Sequence, residues 1–306
     1  MKAYNSVVED FKNFCSKKGY TFYDITEQSV IHFIFHLQQE KVSFAYMQKV
    51  KPALSLHLEL GNKSSRVFTN RVDTILKGAK NLSAKNRPVT KKADPFPLLV
   101  LKTLVAIYIA PFQADPMLIQ AEEFRAIFRA MIQYFTFCRF DCFAHLQEKH
   151  FTKKEGVIDI YFPTAKNDQL HNGNVSTLIA NNSYFCPVKI TAMYFQRFGL
   201  KFSTGDKYVN FRIKKTNGQV VAKPYEKLSY STAIASTRKL LRKHGFNADK
   251  ISEKSPKMEG VSQTLNAGAS LEEVMWLGRW RSINTPNHYK MNDTHYKQFI
   301  AGKIPI

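Results

Sequence analysis

The sequence predicts a mainly α-helical protein with small β-hairpins, split into an all-helical N-terminal domain and an α+β C-terminal domain. Three observations carry this. Apolar residues recur at three- and four-residue spacing through most of the chain. Residues 83–96, SAKNRPVTKKADPF, interrupt that pattern with two prolines, four basic residues and no apolar periodicity, as an interdomain linker does. Further on, two segments alternate apolar and polar residues around a polar turn, the signature of a hairpin.

Taken in order, residues 5–82 read as four consecutive helices. Val8, Phe11, Phe14 and Cys15 mark the first, and Val30, Phe33, Ile34 and Leu37 the second. The third is predicted over 43–60 from Ser43, and the fourth over 64–82 from Ser64 or Ser65, with Gly61-Asn62 breaking the chain between them. Four helices suffice for a small bundle. Beyond the linker, strongly apolar helices are predicted at about 97–110 and 119–138. VIDIYFP and VSTLIA form a hairpin around TAKNDQLHNGN, which carries Lys166. A helix at 187–199, a second hairpin around Asn217-Gly218 and a helix at 230–245 follow; the last ends on Lys, Arg, His and Gly, as a C-terminus should.

The 306 residues leave room for two domains, and 24 Phe and 14 Tyr supply real cores. Forty-five Lys+Arg against 24 Asp+Glu give a net charge of +21. So large a charge on a folded, aromatic-rich chain points to a polyanion, most often nucleic acid, over a merely solubilising basic surface. The four cysteines (15, 138, 142 and 186) include no CxxC pair, which argues against a zinc site or disulfide framework and fits a reducing compartment. No signal-peptide core and no apolar run of membrane-spanning length is present, so an intracellular protein without a membrane partner is expected.

The most informative stretch runs from Lys254 to Tyr289: KSPKMEGVSQTLNAGASLEEVMWLGRWRSINTPNHY. Ser255 and Pro256 read as the N-cap and first residue of a short helix. Lys257 then falls in the first turn, where free backbone N–H groups already favour an anion. Ser270 and Glu273 form a capping box for the next helix. Trp280, His288 and Tyr289 follow; Trp276 reads as plain core. Two basic side chains at a helix start, an indole and then a tyrosine make a phosphate site with a nucleophile beside it.

This stretch resembles the second conserved box of the tyrosine recombinases (the phage-integrase family), H-x-x-R, then H or W, then Y nine positions later. Lys254 stands at the first position and Lys257 at the arginine. Trp280 stands at the H/W position, and Tyr289 nine positions after it. Upstream, R-F-D-C-F-A-H-L from Arg139 resembles the family's first box, and Lys166, 27 positions on, matches its hairpin lysine. Lys257 for arginine and Cys142 for the usual acid are departures. Read without the family, Arg139 is equally suited to a salt bridge with Asp141 or Glu148. The resemblance covers residues 97–306 well and 5–96 in outline.

It implies an N-terminal core-binding (SAM-like) domain at 1–82, the basic linker at 83–96 and an α+β catalytic domain at 97–306 with a tail helix. It implies cutting and rejoining of double-stranded DNA through a 3′-phosphotyrosine, without metal, cofactor or ATP. Arg139 and Lys257 would hold the phosphate oxygens and Lys254 would help deprotonate the nucleophile or add positive potential. Lys166 would protonate the leaving 5′-oxygen, Trp280 would donate to the phosphate, and Tyr289 would attack. Tyr296, in a second His-Tyr pair, is the rival nucleophile. DNA contacts are expected from Lys49, Lys51, Arg66, Arg71, Lys77, Arg87, Arg212, Lys214, Lys215 and Arg279. Homo-oligomers on DNA, from a dimer to a synaptic tetramer, are implied, as is nuclear residence if the host is eukaryotic. GRWRS followed by P-x-x-Y looks like the eukaryotic mobile-element (Crypton or DIRS) branch. The alternative is a domesticated, catalytically weak relative that only binds DNA.

Overall fold

A computed structural model describes residues 2–63, 65–85, 93–163, 173–216 and 219–292. The chain divides into two compact units, Met1–Thr90 and Lys91–Ile306.

The first unit is helical throughout: α1 (Lys2–Lys18), α2 (Glu27–Gln39), α3 (Phe44–Met47), α4 (Val50–Leu60) and α5 (Asn70–Lys85). Its core is aromatic, with Phe33 packed edge-on to Phe11 at 5.2 Å and against Phe14 at 5.3 Å. Thr26 and Ser29 cap α2 reciprocally. Two boundaries differ from expectation. The segment 43–60 is two helices, parted at Gln48 and Lys49. The next helix starts at Asn70, because Thr69 rather than Ser64 or Ser65 takes the first free N–H groups, those of Arg71 and Asp73. It also runs to Lys85, three residues into the stretch expected as linker.

The second unit is built on α7 (Ala121–Thr136), reached after α6 (Leu98–Tyr108). The α7 helix is buried along most of its length, Arg125, Arg129 and Gln133 included, so it is enclosed on several sides. It packs against α6 and against α9 (Pro187–Phe198), α10 (Tyr230–Lys243) and α11 (Ser255–Asn266), which come later in the chain. Phe128 of α7 stacks on Tyr194 of α9 at 3.9 Å. After α7 come α8 (Phe140–Ala144) and an antiparallel sheet in the order β1 (Phe151–Lys154), β2 (Val157–Phe162), β3 (Asn174–Ile179). Ile158, Ile160 and Phe162 of β2 face the core in alternation. β1 was not anticipated: it is four residues long with three of them exposed, so it has no period to read. β4 (Phe211–Thr216) and β5 (Gln219–Lys227) form the second hairpin. The short helices α12 (Leu271–Leu277) and α13 (Asn284–Asn292) complete the described chain. Among the described residues no helix is long and apolar enough to cross a membrane.

A candidate phosphate-transfer site

The site forms where α11, α13 and the end of α7 meet. Phe137 caps α7 in the left-handed conformation (φ 51°), turning the chain sharply so that Arg139 becomes the N-cap residue of α8. α11 lies close against this end of α7. A Cβ at Gly260 would fall 2.1 Å from the carbonyl oxygen of Tyr134, so only glycine permits this approach. One turn before Gly260, Lys257 is thereby delivered to the same place.

The start of α11 differs from expectation by one residue. Lys254 is the N-cap, in helical geometry and without a capping side chain, and Ser255 and Pro256 are the first two helical residues. Ser255 serves the preceding turn instead, its hydroxyl accepting the N–H of Ser252 at 3.0 Å. The consequence is a division of labour between the two lysines. Lys254 is exposed, whereas Lys257 is only 4% exposed.

The ammonium of Lys257 lies 4.6 Å from the centroid of the Trp280 ring, and the phenol ring of Tyr289 stacks on the same indole at 5.7 Å and 12°. Phe137, Val261 and Val274 close the apolar side of this cluster. Trp280 is held close to the chain at Gly278, where a Cβ would come within 2.7 Å of the indole. Burial pulls the Lys257 pKa down from 10.5 to about 8, and the neighbouring Arg139 and Arg279 charges push the same way. Burial pushes the Tyr289 phenol up, while the Arg139 charge draws it back. The thiols of Cys138 and Cys142 are the other polar groups here. Cys138 is pushed up to about 11 by burial and so stays neutral. Among the described residues no carboxylate pairs with Lys257, Arg139 or Arg279, and neither Asp141 nor Glu148 bonds to Arg139. Glu148 instead accepts the N–H of Lys201 at 2.7 Å. Among the described residues the pocket therefore gathers positive charge beside a phenol with no carboxylate paired to it.

Of the sequence-predicted site residues, the fold brings together Arg139, Lys257, Trp280 and Tyr289. Lys166, Arg87, Tyr296 and the side chain of Lys215 lie outside the described residues. Lys49 is half-buried, and Arg66 and Lys77 are exposed. Lys51 is engaged with both carboxylate oxygens of Asp73 at 2.7 and 2.9 Å. Arg71 is exposed, 3.9 Å from Glu27, and Arg212 and Lys214 share Glu226 at 3.6 and 3.5 Å. Such surface pairs contribute little to stability.

Two expectations fail. Arg279 is not a surface contact: its guanidinium turns inward to the carbonyl of Thr136 at 2.8 Å, the hydroxyl of Ser176 and the face of Phe162 at 4.4 Å. Its partners lie more than a hundred residues away in sequence, so no local pattern announces it. Trp276 is 79% exposed rather than core, because α12 is short and buries only Val274. Sequence reasoning also missed Arg125 and Arg129, two arginines one turn apart inside an apolar helix. Both are buried, and Arg129 forms an ion pair with Glu253 at 2.9 Å. Their placement within an apolar period was a signal that partners must exist.

No family model and no curated protein matches this sequence. Solved structures are similar in fold. The XerH site-specific recombinase bound to a palindromic difH substrate, in a post-cleavage complex, gives a TM-score of 0.60 at 16% identity, covering 99% of this chain and 79% of that one. Its pre-cleavage complex with difH gives 0.54 at 16% identity, over 97% and 76%. The Tn1549 transposon integrase with transposon right-end DNA gives 0.55 at 9% identity, over 97% and 91%. The fold, mostly helical with small antiparallel sheets, matches that of tyrosine-recombinase catalytic domains.

Proposed function

We propose that this protein is a tyrosine recombinase of a mobile element, which cuts and rejoins double-stranded DNA through a 3′-phosphotyrosine on Tyr289. The observation that carries the reading is the convergence on one indole of Tyr289 and the buried Lys257, with Arg139 beside both and, among the described residues, no carboxylate paired with either cation. An apo protein that buries a cation without a counter-ion bears a desolvation penalty that a bound phosphate relieves.

The Tyr289 Oη attacks the phosphorus, forming the new P–O bond as the bond to the 5′-oxygen breaks. The Arg139 charge favours the phenolate, and the phenolic proton leaves to solvent, assisted by the positive potential of the exposed Lys254. Arg139 and Lys257 stabilise the extra negative charge of the pentavalent transition state. Arg139 does so through a fork, Lys257 as a point charge. Lys166 supplies the proton to the departing 5′-oxygen. The covalent intermediate keeps the energy of the phosphodiester, so that the reverse attack by a 5′-hydroxyl reseals the strand.

The remaining parts follow from this reading. Residues 1–82 serve as a core-binding domain and 83–96 as a basic linker. DNA contacts come from Lys49, Lys51, Arg66, Arg71, Lys77, Arg87, Arg212, Lys214 and Lys215, but not from Arg279. The protein works as a homo-oligomer on DNA inside the cell. The GRWRS and P-x-x-Y strings support the Crypton- or DIRS-like branch, which would place it in a nucleus. A second reading, a DNA-binding relative of weak activity, is favoured by one observation: the arginine position holds a lysine whose pKa is about 8.

The test uses a nicked suicide duplex built on the sequence that the protein selects from a random pool. The expected result is a covalent protein–DNA band on a denaturing gel in the wild type, absent in Tyr289→Phe. Salt-sensitive binding without a band, and with none gained in Lys257→Arg, would replace the enzyme by the binding protein.

A further inference from the structure

Asn210 is fully buried, and neither end of its side-chain amide has a hydrogen-bond partner among the described residues. The backbone around it is committed. Its carbonyl accepts the N–H of Leu228 at 2.9 Å, and the flanking carbonyls of Val209 and Phe211 accept the Tyr194 hydroxyl and Nη1 of Arg125, both at 2.8 Å. Two more buried donors without partners lie on α7, Nε of Arg125 and Nη1 of Arg129. Contacts bring the three side chains to one place. Arg125 and Arg129 are one turn apart, and Arg125 reaches the residue next to Asn210. Arg129 donates through Nη2 to the carbonyl of Ala233 at 2.9 Å, and Ala233 packs with Leu228, whose N–H is bonded to Asn210.

The charges here do not balance. Glu253 pairs with Arg129, but among the described residues no carboxylate pairs with Arg125. Burial pulls the Arg125 pKa down from 12.5 to about 10, the Arg129 charge pushes the same way, and Tyr194 and Glu122 oppose them. Arg125 therefore stays charged at neutral pH. An unbonded N–H and an unpaired charge both carry a desolvation cost in the interior. Water would serve the acceptors that also lack partners, Oδ1 of Asn210 and Oε1 of Gln133, but it would leave the charge as it is. An anion accepts from the donors and neutralises the charge together. We infer that Arg125, Arg129 and Asn210 form a binding site for one small monovalent anion of the halide class, which ties α7 to the start of β4. A spherical ion suits donors that arrive from separate elements. The site shares no residue with the phosphate-transfer site and does not depend on the recombinase reading.

Bromide scatters anomalously and stands in for chloride. Crystals of the full chain grown in bromide should show an anomalous peak within hydrogen-bonding reach of Nε of Arg125, Nη1 of Arg129 and Nδ2 of Asn210. In solution, chloride would be exchanged for gluconate at constant ionic strength, so that screening over a chain of net charge +21 is unchanged. We expect the wild-type unfolding equilibrium constant to fall about tenfold for each tenfold rise in chloride above its dissociation constant. Asn210→Asp supplies the negative charge covalently and should fold and lose that dependence. Arg125→Met removes the surplus charge and should lose it too; if one variant fails to fold, the other decides. Three results would overturn the inference: water but no bromide at this position, a wild type indifferent to chloride, or a dependence that survives in a folded variant.

Discussion

Among the cations buried in the C-terminal unit, Arg129 and Lys257 are buried in opposite ways. Arg129 meets Glu253 through Nε at 2.9 Å, Thr237 at 2.7 Å and the carbonyl of Ala233 at 2.9 Å, and Gln133 secures the backbone of Glu253 at 2.9 Å. Lys257, four residues after Glu253, has an indole face at 4.6 Å, two cysteine side chains and two further cations. The first arrangement is balanced within the protein and supports α7 and α10. The second has no carboxylate partner among the described residues. Arg125 is also buried without a carboxylate among the described residues but donates to the carbonyl of Phe211 at 2.8 Å, so what sets Lys257 apart is a buried charge with two further cations and a phenol around it.

The comparison can be broken most directly by removing one member from each region. Glu253→Ala strands Arg129 without its carboxylate and should lower unfolding stability by roughly 3–5 kcal/mol, measured by urea titration. Lys257→Met removes a charge that no carboxylate among the described residues compensates. In the absence of DNA it should be neutral or stabilise by about 1–3 kcal/mol, while abolishing cleavage. Equal destabilisation by both would mean that the two regions do not differ as described.

Cleavage offers the next contrast. Lys257→Arg supplies a second fork to the phosphate and should raise the rate by about tenfold or more where the point charge is limiting. Gly260→Ala drives α11 away from the carbonyl of Tyr134 and should slow cleavage while also lowering stability. A change in stability alone would uncouple the helix contact from the placement of Lys257.

The pH dependence gives a smaller, cleaner test. Burial holds the folded-state pKa of Lys257 at about 8, below its ordinary 10.5. Between those values the unfolded chain binds a proton that the folded chain has released, so this group makes stability rise with pH across that window. Below about 8 its burial penalty is present in full. Cys138, raised to about 11 by burial, works in the opposite sense above its ordinary 9.0, so the difference between wild type and Lys257→Met is the quantity to follow. That difference should shrink as pH rises from 7 to 10. The smallest effect belongs to the surface: Lys51→Ala, which breaks a half-exposed pair with Asp73, should change stability by less than about 1 kcal/mol.

Much of this was legible before any coordinates. The helices carry clear periods, and the capping box of Ser270 and Glu273 is as read: the Glu273 N–H donates to the serine hydroxyl at 3.1 Å and the Ser270 N–H to the glutamate carboxylate at 2.7 Å. The spacing from Lys257 to Trp280 and Tyr289 implied that they would meet, and one indole does join them. What escaped depends on contacts distant in sequence. Ser255 looked like a cap because its neighbours resembled a helix start, yet its hydroxyl was claimed by Ser252. Arg279 looked like a DNA contact because it is basic and in a loop, but Thr136, Ser176 and Phe162 reach it first. Trp276 looked like core because it is apolar, although a two-turn helix has only one face to bury.

The central claim is that Tyr289, on the indole it shares with Lys257, is the group that takes the phosphate. Mass spectrometry of the peptide left attached to DNA after suicide cleavage tests it most directly. The account predicts a nucleotide 3′-phosphate on the phenolic oxygen of Tyr289; the same modification on Tyr296, or on any other side chain, would contradict it.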